Sequence, residues 1–220
     1  MKVLAIDIGG TNVKLLATGQ ELMRKFASGP TLTPREMAKA VCATVNDWDY
    51  DAVSLGYPGP VRGGKPTAEP KNLGTGWIKF DFAKALDRPV RMLNDAAMQA
   101  LGSYEGGRML FLGLGTGLGS ALIVEKVIVP LELAHLPYKK GETFEDYVGK
   151  RGLERMGRKK WQEHVEDVIA RLRDALVVEE VVLGGGNAKK LRGLLPGVRL
   201  GANQNAFIGG YRMWEDYVYQ

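Results

Sequence analysis

Two glycine-rich turns are the parts of this sequence whose residue types best suit chemistry. The first occupies residues 7–11 and the second residues 113–119, where glycine alternates with other residues. Apolar segments that are typical of strands flank both turns. Backbone N–H groups in such a turn can point together at an anion such as a phosphate, and Thr116 adds a hydroxyl donor. The alternative is a tight turn without a ligand, which a single copy would favour.

The second turn matches neither of two other phosphate-binding loops. A dinucleotide fingerprint requires the spacing G-x-G-x-x-G between a strand and a helix, but Leu118 breaks that spacing and strand-forming residues follow it. A P-loop requires Lys and then Ser or Thr after its last glycine, whereas Ser120 and Ala121 follow here. The pattern therefore predicts a glycine hairpin.

Asp7 lies at the end of the first apolar segment, directly before its glycine turn. A carboxylate in that position is costly unless it has a partner or a task. Beside a phosphate-binding turn the task is to hold Mg²⁺, directly or through water, and the alternative is a carboxylate that caps the turn locally. Lys14, in the next strand, either neutralises phosphate charge or faces solvent.

The order of elements indicates a duplicated α/β fold. Residues 4–18 and 111–124 share the pattern of apolar strand, glycine turn and apolar strand, and a repeated β-rich half followed by helices predicts two lobes. Thr33, Pro34 and Glu36 predict the start of a helix with a capping box. We predict further helices over residues 144–157, 160–176, 186–195 and 203–219.

The composition, with 45% hydrophobic and 25% charged residues, is that of a globular protein. There is no apolar run long enough to cross a membrane and no signal-peptide pattern at the start. We therefore expect a cytoplasmic protein without a membrane partner. The single cysteine, Cys42, excludes an internal disulfide, and its apolar surroundings predict a core position.

The formal net charge is +5, and part of the excess lies in one region. A basic patch suits a polyanion such as nucleic acid or polyphosphate. Interspersed acidic residues favour a solvated helix face instead, and we expect no nucleic-acid partner. The basic residues of this region are Lys139, Lys140, Lys150, Arg151, Arg155, Arg158, Lys159 and Lys160.

Three motifs, in this order, resemble the sugar kinase/actin/Hsp70 ATPase fold. Residues 7–11 look like its first phosphate motif, residues 115–119 like its second, and residues 181–191 like its adenosine motif. The segments "YPGPV", "NDAA" and "ELAH" further resemble the ROK family, and residues 132–165 look most like its polyphosphate-type glucokinases. The resemblance covers nearly the whole chain and implies a duplicated ribonuclease-H-like fold with a cleft between two lobes.

The resemblance also implies the boundaries of the lobes and the donor site. The N-terminal lobe is expected over residues 1–94 and 204–220, and the C-terminal lobe over residues 95–203. Asp7 is the expected Mg²⁺ residue, through water. The expected contacts to phosphate or nucleotide are Asp7, Gly9, Gly10, Thr11, Lys14, Gly115, Thr116, Gly117, Gly185, Gly186 and Asn187.

Asp95 follows a predicted strand at the point where a helix begins. From the residues alone it is equally an N-cap, whereas the resemblance makes it the catalytic base that takes the proton of the attacking hydroxyl. The residues that the resemblance places on the sugar are Asn72, Asn94, Asp95, Glu132, His135 and Glu145. Asp146 is adjacent to Glu145 and is the alternative acid there.

The implied activity is phosphoryl transfer from ATP or polyphosphate to the 6-hydroxyl of glucose or mannose. The alternatives are a kinase for fructose or an N-acetylhexosamine, and a non-catalytic sugar-binding regulator. ROK kinases commonly carry a zinc-binding cysteine cluster after the histidine of "E-x-G-H"; this sequence has none there, so we expect no structural zinc. Dimers are common in the family, so a homodimer is compatible with the resemblance. His164 lies in a charged helix and is expected to face solvent.

Overall fold

A computed structural model of the chain describes residues 1–202 and 204–219. The elements of its first half are β1 (Val3–Ile8), β2 (Asn12–Ala17), β3 (Arg24–Ala27), α1 (Pro34–Thr44), β4 (Ala52–Tyr57), β5 (Val61–Arg62), β6 (Lys65–Pro66), α2 (Phe82–Leu86), β7 (Val90–Asn94) and α3 (Asp95–Ser103). Those of the second half are β8 (Arg108–Leu114), β9 (Leu118–Val124), β10 (Val127–Leu131), α4 (Phe144–Val148), α5 (Lys150–Leu176), β11 (Glu180–Gly184), β12 (Val198–Leu200), α6 (Asn205–Arg212) and β13 (Val218–Tyr219).

The two large sheets repeat one topology. The first has the order β3-β2-β1-β4-β7, and the second contains the order β10-β9-β8-β11-β12, with β13 added beside β10. In each sheet the first three of these strands are antiparallel neighbours and the next two run parallel. The fold is therefore the predicted duplicated ribonuclease-H-like α/β fold of the actin-like ATPases.

The register places the two glycine turns at equivalent points of the two sheets. In the first sheet Asp7 of β1 lies opposite Gly56 of β4, directly before the first turn. In the second sheet Gly113 of β8 lies opposite Gly184 of β11, directly before the second turn. Each turn thus follows the central strand of its own sheet.

Helices α3 and α6 lie between the two sheets. Helix α3 contacts strands of both sheets, and α6 packs on β1, β4 and α3. Glycine allows this close approach: a Cβ on Gly102 of α3 would collide with the Asn205 carbonyl oxygen, and a Cβ on Gly209 of α6 would collide with the Met98 carbonyl oxygen. The two helices therefore meet backbone to backbone.

The remaining helices cover the outer faces of the sheets. Helices α1 and α2 pack on the first sheet in one apolar core, and α4 and α5 pack on the second sheet in another. A third core surrounds α3. Helix α1 begins as predicted, because the Thr33 hydroxyl accepts a hydrogen bond from the Glu36 N–H and the Glu36 carboxylate accepts one from the Thr33 N–H.

Three helix predictions need correction. Residues 186–195 form only one 3₁₀ turn, Ala188–Lys190, because Leu191 is extended and Gly193 adopts a left-handed conformation (φ 63°). The predicted terminal helix is limited to α6 and is followed by β13; residue 203 lies outside the described residues. The helix predicted over residues 144–157 is interrupted at Gly149, where α4 ends. The predicted break near Gly157 is confirmed, because this residue has non-helical dihedrals (φ 73°, ψ 164°) inside α5.

Two predictions about single side chains are wrong. Cys42 is exposed, because the buried face of α1 consists of Pro34, Met37, Ala38 and Val41. His164 is half-buried rather than solvent-facing, because its ring packs against the Tyr147 ring. In the part of the chain that the structure describes, no helix combines the length and apolar character needed to cross a bilayer.

The lobe boundaries stay a prediction. Helix α6, predicted in the N-terminal lobe, contacts β1 and β4 of the first sheet. Strand β13, from the same terminal segment, pairs with β10 of the second sheet. The end of the chain thus touches both halves of the fold.

Candidate functional site

A single cleft of about 860 Å³ brings together predicted site residues from both halves of the chain. Those that line it are Gly10, Thr11, Asn72, Asn94, Asp95, Gly115, Thr116, Gly117, Glu132, His135, Glu145 and Gly185. Five others lie outside the lining: Asp7, Gly9, Lys14, Gly186 and Asn187. The volume is that of a pocket for a small ligand.

Asn94, rather than Asp95, caps helix α3. The Asn94 side-chain oxygen accepts hydrogen bonds from the N–H groups of Ala96 (2.9 Å) and Ala97 (3.2 Å), and its amide nitrogen donates to the Gly59 carbonyl (3.1 Å). The capping alternative for Asp95 is therefore wrong. Asp95 is the first residue of the helix, and its carboxylate accepts one bond, from the Ala96 N–H (2.8 Å).

Burial raises the pKa of Asp95 to about 7, and repulsion by the Asp7 carboxylate adds to the rise. The hydrogen bond from the Ala96 N–H lowers this pKa, and Glu132 raises it further. A carboxyl group with a pKa near neutrality suits general base catalysis, because it both accepts and releases a proton at physiological pH.

The Asp7→Asn variant is expected to lower the pKa of Asp95 toward the ordinary carboxyl range, because the substitution removes the repelling charge. NMR titration of the Asp95 carboxyl carbon measures this directly in the ligand-free protein. The matched control is Asp49→Asn, which removes an exposed carboxylate that pairs with Lys2 away from the cleft. Equal Asp95 titration in both variants would contradict the coupling.

The first turn has unused backbone donors next to an ion pair whose carboxylate is buried. Asp7 is only 7% exposed, and the Lys14 amine lies 3.1 Å from its carboxylate. Lys14 thus pairs with Asp7 across β1 and β2 rather than only facing solvent. The Gly9 N–H donates to the Asn12 carbonyl. Within residues 1–202 and 204–219, the N–H groups of Gly10 and Thr11 donate to no protein acceptor.

The second turn is held by hydrogen bonds within its own backbone and by two side chains. The Gly115 N–H is shared between the Gly113 and Gly117 carbonyls, at 3.1 Å each. The Glu145 carboxylate accepts a bond from the Leu118 N–H (3.1 Å), and the Asn187 side chain donates to the Gly115 carbonyl (2.9 Å).

Two donors in the second turn remain for a ligand. Across the described ranges of the chain, the N–H groups of Thr116 and Gly117 have no protein acceptor. The same is true of two N–H groups in the first turn, so each turn offers a pair of backbone donors at the cleft. Such pairs of N–H groups are a recurrent anion site in proteins.

Glycine is required at position 185 because this backbone packs against the backbone of Leu114. Its φ is 80°, and a Cβ there would lie 2.6 Å from the Leu114 carbonyl carbon. The segment of the adenosine motif therefore rests directly on the second turn. Gly186 has open space around it, which leaves room for a ligand there.

The predicted sugar residues approach the cleft from separate elements. Asn72 packs over the first turn, with its Cβ 3.4 Å from the place where a Gly10 Cβ would be. Glu132 directly precedes a 3₁₀ turn, Leu133–His135, and His135 ends it; both side chains are exposed. Between the two adjacent acids, Asp146 completes the capping box of α4 while Glu145 contacts the second turn.

The sequence profile of the ROK family matches residues 3–129. The chain belongs to the ROK family. It is 26% identical over 212 residues to a polyphosphate glucokinase of Mycobacterium leprae, covering 87% of this chain and 65% of that protein. It is 27% identical over 207 residues to a polyphosphate glucokinase of Mycobacterium tuberculosis, covering 84% of this chain and 77% of that protein.

Solved structures of ROK proteins share this fold. An inorganic polyphosphate/ATP-glucomannokinase from Arthrobacter sp. strain KM superposes with a TM-score of 0.79 at 25% identity, covering 94% of this chain and 96% of that chain. A ROK glucokinase from Streptomyces griseus, in complex with glucose and AMPPNP, gives 0.74 at 18% identity over 95% and 97% of the two chains.

Four charged or amide side chains that the sequence analysis did not assign to the site also line the cleft of this ROK protein: Glu69, Lys71, Gln99 and Arg151. Gln99 follows Asp95 by one helical turn and therefore lies on the same helix face; this spacing is the sequence signal that could have identified it. Arg151 belongs to the basic region, whose position at the cleft was not evident. Glu69 and Lys71 lie between β6 and α2, outside any helix or strand, and no periodic pattern marks them.

Among the residues that the structure describes, no group of three or more His, Cys, Asp or Glu side chains is placed to hold a metal ion. Mg²⁺ in phosphoryl-transfer sites commonly takes one or two carboxylates and completes its shell with water and substrate phosphates. Asp7, next to the first turn, supplies one such carboxylate, and Lys14 occupies one of its oxygens. The residues present therefore fit a magnesium ion that arrives with the donor phosphates.

Proposed function

We propose that this protein is a hexokinase-type phosphotransferase that moves a phosphoryl group from ATP or inorganic polyphosphate to the 6-hydroxyl of glucose. The observation that carries the proposal is the position of Asp95, which lines the same cleft as both glycine turns. The relatives named polyphosphate glucokinase support the choice of glucose and of the two donors.

In the proposed reaction the Asp95 carboxylate takes the proton of the 6-hydroxyl as that oxygen attacks the terminal phosphorus of the donor. The bond between that phosphorus and the donor's bridging oxygen breaks, and the shortened donor leaves with the electron pair. The free N–H groups of Gly10, Thr11, Thr116 and Gly117 stabilise the charge on the phosphoryl oxygens.

The sugar is held from the opposite walls of the cleft. Asn72 reaches it from the first half, and Glu132, His135 and Glu145 reach it from the second. Carboxylates suit a sugar because each accepts two hydroxyl donors. Asn94 fixes the start of α3 through its side-chain oxygen and donates one amide N–H to Gly59, so its second amide N–H is available to the sugar. Exclusion of water requires the two predicted lobes to close over the bound sugar.

Bound Mg²⁺ would neutralise donor phosphate charge, with Asp7 as its protein contact. The Lys14 amine forms an ion pair with the same Asp7 carboxylate, so both residues act on the phosphate side of the cleft. When ATP is the donor, the open space at Gly186 receives its nucleoside, next to Gly185 and Asn187. Polyphosphate makes no use of that space.

A donor and sugar panel tests the proposed function. We expect glucose to be phosphorylated fastest in the presence of Mg²⁺ and either ATP or polyphosphate, with mannose second, as measured by formation of the sugar 6-phosphate. The ratio of rates with the two donors shows which one the cleft prefers. If neither donor supports turnover of any hexose, the kinase proposal fails.

The same panel separates the alternative functions. An N-acetylmannosamine kinase of Haemophilus influenzae is 28% identical over 148 residues, covering 58% of this chain and 48% of that protein, so N-acetylmannosamine belongs in the panel beside fructose. A faster reaction with either sugar would replace glucose as the substrate. Sugar binding by calorimetry without any turnover would indicate a sugar-binding regulator.

A further inference from the structure

A short hairpin separates two of the predicted sugar residues. Residues 136–144 fold back on themselves through the bridge between Pro137 and Thr143 and the bond from the Phe144 N–H to the Leu136 carbonyl (3.1 Å). His135 directly precedes this hairpin and Glu145 directly follows it. Any displacement of the hairpin therefore moves both side chains relative to the cleft.

The Tyr138 side chain joins the hairpin to α5. Its hydroxyl donates to the Asp167 carboxylate (2.5 Å) and lies 3.0 Å from Nδ1 of His164. The hydroxyl has one proton, which the carboxylate receives, so Nδ1 of His164 must be the donor in the second bond. The three side chains thus form one directed chain of hydrogen bonds, from His164 through Tyr138 to Asp167.

Aromatic and ionic contacts reinforce this junction. The Tyr147 ring lies 4.6 Å from the His164 ring and 4.9 Å from the Tyr138 ring, in edge-to-face arrangements. Lys139 and Arg171 pair with the Asp167 carboxylate at 3.3 Å and 3.2 Å. Helix α5 is itself fixed, because its buried face packs into the core of the second sheet.

We propose that Tyr138, bound by His164 and Asp167, is a positioning residue that holds His135 and Glu145 in register for the sugar. The proposal rests on the proposed function, because it takes those two residues as sugar contacts. Tyr138 does not line the cleft, so its effect passes through the hairpin. A purely structural role would lower stability without selecting one substrate.

The Tyr138→Phe variant tests the proposal, because it keeps the ring contacts and removes only the hydroxyl. We expect the KM for the sugar to rise about tenfold, with kcat within about twofold of wild type. The KM for the donor should rise by less, because Glu145 also accepts the bond from the Leu118 N–H of the second turn. Amide hydrogen exchange of residues 133–145 should accelerate. The matched control is Tyr104→Phe, which loses the hydroxyl bonds to the Gly107 carbonyl and from the Lys126 N–H and lies outside the cleft lining.

A second variant guards against a folding defect. Asp167→Ala should reproduce the rise in sugar KM, and the double variant with Tyr138→Phe should be no worse than the stronger single variant, since both break the same chain of bonds. Equal losses in sugar and donor KM, or an unchanged sugar KM, would overturn the proposal.

Hydrogen exchange distinguishes this proposal from the proposed function. If the wild-type protein phosphorylates no sugar, the proposed function fails. The exchange rates of residues 133–145 then still decide whether Tyr138 holds the hairpin, because they are measured without substrate. Unchanged exchange in Tyr138→Phe overturns the positioning role whatever the activity of the wild type.

Discussion

The Asp95→Asn variant is expected to phosphorylate glucose about a thousandfold more slowly than wild type, within the range that general base catalysis supplies. Asparagine preserves the shape of the side chain and accepts the same bond from the Ala96 N–H, but it takes no proton. Binding of the sugar should persist, because the other predicted sugar residues are unchanged. Steady-state kcat and calorimetric sugar affinity measure the two effects separately.

The pH dependence provides a second readout on Asp95. Because the pKa of Asp95 is raised to about 7, the carboxylate form of the free protein increases as pH rises through 7. The wild-type kcat/KM should therefore increase over that interval, and the residual activity of Asp95→Asn should lack that limb. Asp81→Asn is the matched control, since Asp81 caps α2. This variant should keep the wild-type rate and the rise of kcat/KM through pH 7. Wild-type activity in Asp95→Asn would show that Asp95 is not the catalytic base.

The Gly102→Ala variant is expected to destabilise the fold by about 3 kcal/mol, because its methyl group would collide with the Asn205 carbonyl where α3 and α6 meet. In an open helix the same change would stabilise by about 1 kcal/mol through helix propensity. The sign of the effect therefore reports the contact between the two helices.

Thermal unfolding measures this effect, as a fall in Tm of about 6–12 °C for a chain of this length. The control is Gly186→Ala, since a Cβ there has nothing within 4 Å and should leave Tm close to the wild-type value. A Gly102→Ala protein as stable as wild type would show that α3 and α6 separate at little cost.

The local patterns predicted the parts of the fold that depend on neighbouring residues. The glycine turns are flanked by the expected strands, and the Thr33 capping box forms as predicted. The repeated pattern of strand, turn and strand indicated the duplication, which the matching sheet orders confirm. Each of these features is encoded within a few residues of chain.

Features that depend on distant partners were not predictable from local patterns. Strand β13 forms by pairing with β10, which lies far away in sequence. Its residues, Val218 and Tyr219, are of strand-forming types, but two residues are too short a run to predict a strand. Asn94 rather than Asp95 caps α3, and only coordinates show that its amide also reaches Gly59. The different roles of the adjacent Glu145 and Asp146 likewise depend on a distant partner, because Glu145 contacts the second glycine turn.

The equivalent registers of Asp7 and Gly113 have a consequence for direction. The two halves share a backbone but not a charge distribution: Asp7 lies opposite Lys14 in the first sheet, and Gly113 lies opposite Gly119 in the second. An elongated anion placed between two nearly symmetric turns therefore meets the Asp7–Lys14 ion pair beside the first turn, and the Thr116 hydroxyl and the Glu145 carboxylate beside the second. The repeated backbone thus provides two similar anion sites, and the different side chains beside them give a bound anion a preferred direction.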